Sequence, residues 1–341
     1  MSWLGPRLDP EQRGLVDMLD ALATERGTDL TDDPAHVGAL RRELAELGVW
    51  TLGVAETHGG GGANQTMTTI ALERLGRHWP ALALACVHAH AAVDVLGSAD
   101  GELVPRLHTA EALVAVVEAD ATHVTLTREG DGVTGSVARV DVTGRPDALI
   151  VLNPDRGGLL FDAEALASGP VLRRCGLSGA GTMPLTLNGV VGASVHELAL
   201  DSNAVRNRLR LGAAAVAAGI AGGAVSAATV YAAGRHQFGG PLTALPTIRA
   251  SLSTQTFRAT TALLTVLAAE AQGTTAASAA LIQACEAAVD VSTASLQIHG
   301  GYGYLSEYPA ERFTRDAVSL RAAVDAAGMA RSEASRLVGM A

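Results

Sequence analysis

The run QIHGGYGYLSEYPAERFTRDA, from Gln297 to Ala317, decides how the whole chain reads. It packs three glycines, a proline, three acids and two arginines into a short span. The chain before it is almost uninterrupted helix back to Asp201. DSNAVRNRLRLGAAAVAAGIAGGAVSAATVYAAGRHQ reads as one very long helix, LPTIRASLSTQTFRATTALLTVLAAEAQ as a second and TAASAALIQACEAAVDVSTASLQIHG as a third. YPAERFTRDAVSLRAAVDAAGMARSEASRLVG supplies a fourth and a fifth. Long helices on short links make a bundle, so residues 201–341 are expected to form a C-terminal four-helix bundle.

Working back from the bundle, the texture changes twice. Residues 113–200 hold short β-branched segments such as ALVAVVEAD, DALIVLNPD, GGLLFDAEA and TMPLTLNGVV, punctuated by Gly, Asp and Asn. They read as an antiparallel β-domain. REGDGVTG within it is a hairpin signal, because Asp-Gly tolerates the positive φ of a tight turn. Residues 1–112 return to helical spacing in DPEQRGLVDMLDALATERG, PAHVGALRRELAELGVW (closed at Gly48) and TMTTIALERLGRHW, with VAETHGGGGANQ as a turn-rich link. PALALACVHAHAAVDVLG is apolar nearly all round, so it belongs in the centre of its bundle. The expected architecture is α+β in three domains: helical (1–112), antiparallel β (113–200) and helical bundle (201–341).

Composition excludes several classes of function. The 341 residues are 48% hydrophobic and carry a net charge of −10, with all 25 basic residues Arg and scattered. No basic stripe exists for a nucleic acid. Cys86, Cys175 and Cys285 are odd in number and far apart, which argues against a disulfide framework and suits a reducing cytoplasm. MSWLGPRLDPEQRG has no cationic start followed by an apolar run, so no signal peptide is expected. LGAAAVAAGIAGGAVSAATVYAAG has too few Leu, Ile and Phe for a membrane span, and its small residues suit close helix packing. His88 and His90, two apart on a helix, cannot share a face as metal ligands. Neither a G-x-S-x-G elbow nor a GxGxxG at a strand–helix junction is present.

The opening run resembles the signature QxxGGxGYxxEYPxERxxRDA of acyl-CoA dehydrogenases. Gln297, Gly300, Gly301, Gly303, Tyr304, Glu307, Tyr308, Pro309, Glu311, Arg312, Arg315, Asp316 and Ala317 all match. RHQFGGPL is similar to the family's RxxFGxPL through Arg235, Phe238, Gly239, Pro241 and Leu242, and ELAELGVWTLGVAETHGGGG to its N-terminal LxELGLxxLxVPExxGGxG. The blocks stand in the family's order and cover nearly the whole chain. The resemblance implies a flavoprotein that desaturates acyl-CoA thioesters, with FAD held at a subunit interface. Arg235, Gln237, Phe238, Gln297, Gly300 and Gly301 would contact the adenosine and pyrophosphate of the FAD whose ring sits in a neighbouring subunit. An Arg offers a fixed cationic fork to a diphosphate, and glycines let backbone approach it closely. Arg210 would face the substrate, while Glu307, Glu311, Arg312, Arg315 and Asp316 would brace the bundle.

The sequence also departs from the family. The base that takes the Cα proton is a Glu at one of two known positions, which Val324 and Leu209 occupy here. Asp325 is one step away, but one helical step turns a side chain by roughly 100°, which leaves Asp325 a weak candidate. The flavin-ring segments TEPxAGSD and WITN become VEADATHVTL and VARVDVTGRPD, with Glu118 the one remnant. The contacts for a neighbour's FAD are kept, while those for this chain's own flavin and base are gone. This asymmetry implies a partner: a homologous acyl-CoA dehydrogenase subunit carrying base and flavin pocket. Such pairs resemble the α2β2 dehydrogenases of actinobacterial steroid degradation, which act on side-chain CoA esters. The alternatives are a stand-alone or homo-oligomeric enzyme using Asp325, Glu118 or Glu333 as an unorthodox base, and a non-enzymatic scaffold of the same fold.

Overall fold

The computed structural model describes residues 3–339 except 98–101, 131, 155 and 192–193. Helices α1 (Pro10–Arg26), α2 (Pro34–Glu46), α3 (Gln65–His78), α4 (Pro80–Leu96) and α5 (Leu103–His108) come first. Local chemistry sets their starts: Asp9 and Gln12 form a reciprocal capping box on α1, and Asp33 caps α2. Gly48 turns the chain after α2 at φ 73°. In α4 every residue except His88 and Asp94 is buried, as an all-round apolar helix requires.

Eight strands follow: β1 (Val114–Glu118), β2 (Val124–Glu129), β3 (Gly132–Val140), β4 (Ala148–Leu152), β5 (Gly158–Asp162), β6 (Ala167–Ser168), β7 (Met183–Val190) and β8 (Val195–Leu198). They make two four-stranded sheets, in the orders β1-β4-β5-β8 and β2-β3-β7-β6. The β2–β3 hairpin forms where expected, with Gly130 at φ 60°; Asp131 of its Asp-Gly signal lies outside the described residues. One pairing corrects the antiparallel reading. β1 runs parallel to β4, Val114 opposite Ala148 through Glu118 opposite Leu152. The hairpin between them belongs to the other sheet and returns the chain to the same end. Both strands are buried along nearly their whole length, and uninterrupted apolar runs such as VAVV and ALIVL suit a parallel pair covered on both faces.

The C-terminal part holds α6 (Ser202–Gly234), a short hairpin of β9 (His236–Gln237) and β10 (Gly240–Pro241), α7 (Pro246–Ala269), α8 (Thr274–His299), α9 (Ala310–Ala323) and α10 (Ala326–Leu337). The helix expected to continue through Gln237 stops at Gly234, where the chain turns into the hairpin. By length and composition α6 could cross a membrane, yet 78% of its most apolar window is buried inside the fold. It is the axis of the molecule, packed against α3, α4, α7, α8 and α9. Small residues permit this. A Cβ on Gly76 of α3 would lie 2.5 Å from the Val216 carbonyl oxygen, and one on Gly219 would collide with the Glu73 carbonyl oxygen. Backbone cannot yield as a flexible side chain can. We expect Gly219→Ala to lower stability by about 1–3 kcal/mol, read as a lower denaturation midpoint; an unchanged midpoint would contradict this close crossing.

The charged residues after the glycines tie the parts together. Arg312 donates to the carbonyl oxygens of Thr28 and His78, each at 3.1 Å. Asp316 accepts the Leu177 N–H at 2.7 Å, and Arg315 pairs with Glu311 while donating to the Cys175 carbonyl. α9 is thereby fastened to both the N-terminal helices and the segment before β7.

Candidate functional site

A cavity of about 560 Å³ opens between α4, the end of β1, α6, α8 and the junction of α9 with α10. Val324 and Leu209, the two positions where a base is expected, both line it, although they lie far apart in sequence. The structure thus brings the two together, and neither carries a proton acceptor. Asp325 lines the cavity as well. It starts α10 in a left-handed conformation, φ 50°, which Asp adopts more readily than most residues. Its carboxylate is fully engaged: one oxygen accepts the Thr122 N–H and the other the Thr122 hydroxyl, both at 2.7 Å. Asp325 latches α10 to the β1–β2 turn.

The polar end of the cavity is closed by a network of ion pairs. Glu118 accepts from Arg206 Nε at 2.8 Å and from Arg210 Nε at 2.9 Å, and Asp120 takes Arg206 Nη2 at 2.9 Å. Arg210 also donates to Ser278 Oγ at 2.8 Å, and Ser278 in turn bonds Glu333. Burial alone would lower the affinity of Arg206 for its proton, but the carboxylates of Glu118 and Asp120 overcome this and raise it above the usual guanidinium value. Arg210 was expected to face substrate. It does line the cavity, but it is buried and turned onto the partly buried Glu118. The first arginine of RNRLR, Arg206, escaped notice in the sequence; it falls four residues before Arg210, one helical turn away, and that spacing was the available signal.

The end of β3, where the resemblance expects a Trp and hydroxyls for a flavin ring, presents charge instead. Arg139 Nη2 donates across to the Ala322 carbonyl at the end of α9. Asp141 is held by Arg174 and by the Thr182 hydroxyl, and Arg174 reaches on to the Ser319 carbonyl at 2.6 Å. These contacts fasten the β-region to α9.

The second set of expected residues lies elsewhere, and none of it lines the cavity. Arg235 leaves α6 and stacks on Tyr302, its guanidinium carbon 4.9 Å from the ring centre. Phe238, at φ 55°, is 86% exposed on the β9–β10 hairpin beside exposed Gln237. Gln297 is exposed on the last turn of α8, which ends at Gly300 with φ 58°. A Cβ on Gly300 or Gly301 would meet no atom within 4 Å. Beneath this turn, His299 stacks on Tyr231 with ring centres 4.3 Å apart, and Tyr308 closes edge-on. The result is a firm, open surface of glycine backbone, a braced guanidinium and an exposed phenyl ring. Of these, the Arg235 guanidinium and the open glycine backbone are groups that could hold a diphosphate. Among the described residues no group of His, Cys, Asp and Glu could hold a metal ion.

The family model "Acyl-CoA dehydrogenase, N-terminal domain" matches residues 9–100, and "Acyl-CoA dehydrogenase, C-terminal domain" matches residues 203–324. An acryloyl-CoA reductase (NADH) of Anaerotignum propionicum is 27% identical over 315 residues, covering 81% of this chain and 80% of the relative. The mitochondrial short-chain specific acyl-CoA dehydrogenase of Rattus norvegicus is 41% identical over 114 residues, 32% of this chain and 28% of the relative. Among solved structures, a glutaryl-CoA dehydrogenase from Mycobacterium smegmatis in complex with FADH2 superposes with a TM-score of 0.82 at 18% identity, covering 97% of this chain and 95% of that one.

Proposed function

Because the chain belongs to the acyl-CoA dehydrogenase family, whose cofactor is FAD, we propose that it is the subunit of a hetero-oligomeric dehydrogenase that completes the FAD site of a base-bearing partner. One observation carries this reading. Both family base positions, Val324 and Leu209, face a cavity without carrying a proton acceptor, while the surface around Arg235 and Gly300 stands open and uncovered. FAD, when bound, would supply the acceptor for the hydride that leaves Cβ of the thioester. This chain's share is to hold the diphosphate with Arg235, let it approach the backbone at Gly300 and Gly301, and cover the adenosine with Phe238. The partner supplies the proton acceptor and the acyl-CoA pocket. A bulky acyl group of the steroid side-chain kind fits a complex with fewer active sites than subunits.

A stand-alone enzyme would need Asp325, Glu118 or Glu333 as base, and all three are held in hydrogen bonds or ion pairs. The test is Arg235→Met in the complex with a catalytic homologue. A charge-assisted bond to phosphate is worth roughly 1.5–3 kcal/mol, so we expect FAD affinity to fall at least tenfold, measured by flavin absorbance after dialysis. Undiminished flavin would remove Arg235 from the site.

A further inference from the structure

The last helix is held differently from the one before it. The C-terminal half of α9 is fastened from three sides: Arg139 donates to the Ala322 carbonyl, Arg174 to the Ser319 carbonyl, and Arg321 pairs with Glu286 of α8 at 2.6 Å. Beyond Ala323 the helix breaks, and Asp325 carries the chain into α10 at φ 50°. α10 then lies along one wall of the cavity, to which it contributes Gly328, Met329, Ser332, Glu333 and Arg336. Ser332 and Arg336 are also exposed, so the cavity meets solvent at this helix. Little apolar surface holds α10 down. Among its described residues only Ala326 and Gly328 are buried, Met329 is partly buried against the core, and Leu337 is 87% exposed. A helix of 12 residues is marginal on its own, so its position depends on polar contacts.

Two latches supply them, one toward the β-region and one on α8. The Asp325 carboxylate takes both the N–H and the hydroxyl of Thr122, whose neighbours Ala121 and His123 line the cavity. Further along α10, Glu333 Oε1 bonds the Ser278 hydroxyl at 3.1 Å, on the stretch of α8 between the lining residues Thr274 and Leu281. Gly328 serves the first latch. A Cβ there would lie within 2.6 Å of an Asp325 carboxylate oxygen, so a side chain at this position would push the carboxylate off Thr122. We infer that α10 is a hinged lid: it turns as a unit about Val324 and Asp325 while α9 stays fixed, and the cavity opens when the Asp325 and Glu333 latches release. Elements that gate cavities are drawn from the weakly held parts of a fold. Neither flavin nor a partner subunit is needed for this motion.

The test is the rate at which a thiol inside the cavity reacts with iodoacetamide, in the full-length chain carrying Leu209→Cys and Cys175→Ser. Leu209 lines the cavity from α6, Cys175 is the exposed native thiol, and Cys86 and Cys285 are buried. Asp325→Gly keeps a residue that tolerates φ 50° but removes the latch. Gly328→Ala keeps Asp325 but displaces its carboxylate, and Ala favours helix over Gly, so faster opening in that variant does not come from melting of α10. We expect each to speed labelling about fivefold or more, the loss of roughly one hydrogen bond. Amide hydrogen exchange in α10 should quicken by a like factor, with exchange in α9 unchanged. Should Asp325→Gly fail to fold, Gly328→Ala carries the same expectation. An unchanged labelling rate in the folded variants, or acceleration of α9 together with α10, would overturn the lid.

Discussion

Glu118→Ala is expected to lower the stability of the chain by about 3–5 kcal/mol, the usual result of removing one partner from a buried ion pair. Arg210 is the reason. Its side chain is 5% exposed and has Glu118 as its carboxylate partner, so the substitution leaves it with the Ser278 hydroxyl as its remaining described bond. Arg206 retains Asp120 and suffers less. The network joins the end of β1 to α6, so the loss loosens the β-region from the bundle. Urea denaturation reads the effect as a lower midpoint with an unchanged slope. A change below about 1 kcal/mol would show that the network is screened like a surface pair.

The second large effect is loss of stability in acid. Burial lowers the pKa of His88 to about 4 and that of His90 to about 3, and Arg208 adds to the second shift. Both folded values lie below the ordinary imidazole value of about 6.5. Between these limits the unfolded chain binds protons that the folded chain cannot, so the contribution is complete above about pH 6.5 and is lost as the pH falls toward 4 and 3. At 1.36 kcal/mol per pH unit for each group, roughly 6 kcal/mol is lost between pH 7 and pH 4, comparable to the whole stability of many domains. His90→Leu removes a histidine whose Nε2 is buried without a partner. Stability measured at several pH values should fall less steeply in that variant between pH 6.5 and 4. Parallel curves would contradict the assignment.

The parts that were legible in the sequence rest on local backbone chemistry. The Gly300–Gly303 turn and the small residues of α6 each follow from neighbours a few positions away. The parts that were not legible depend on partners far along the chain. Asp325 reads as a solvated helix acid until Thr122, 203 residues away, is seen to hold it. Glu118 reads as a remnant until Arg206 and Arg210 meet it across 88 and 92 residues. The parallel β1–β4 pair was hidden for a related reason. Its apolar runs were visible, but the placement of the intervening hairpin in a second sheet was not.

The central claim, that this chain completes a partner's FAD site and holds no flavin of its own, is tested most directly by absorbance across the flavin bands. The chain would be purified once alone and once after co-expression with a homologous dehydrogenase that carries the base. The account predicts a colourless protein alone and a yellow complex in which both subunits co-purify. A yellow protein with one FAD per chain, purified alone, would contradict it.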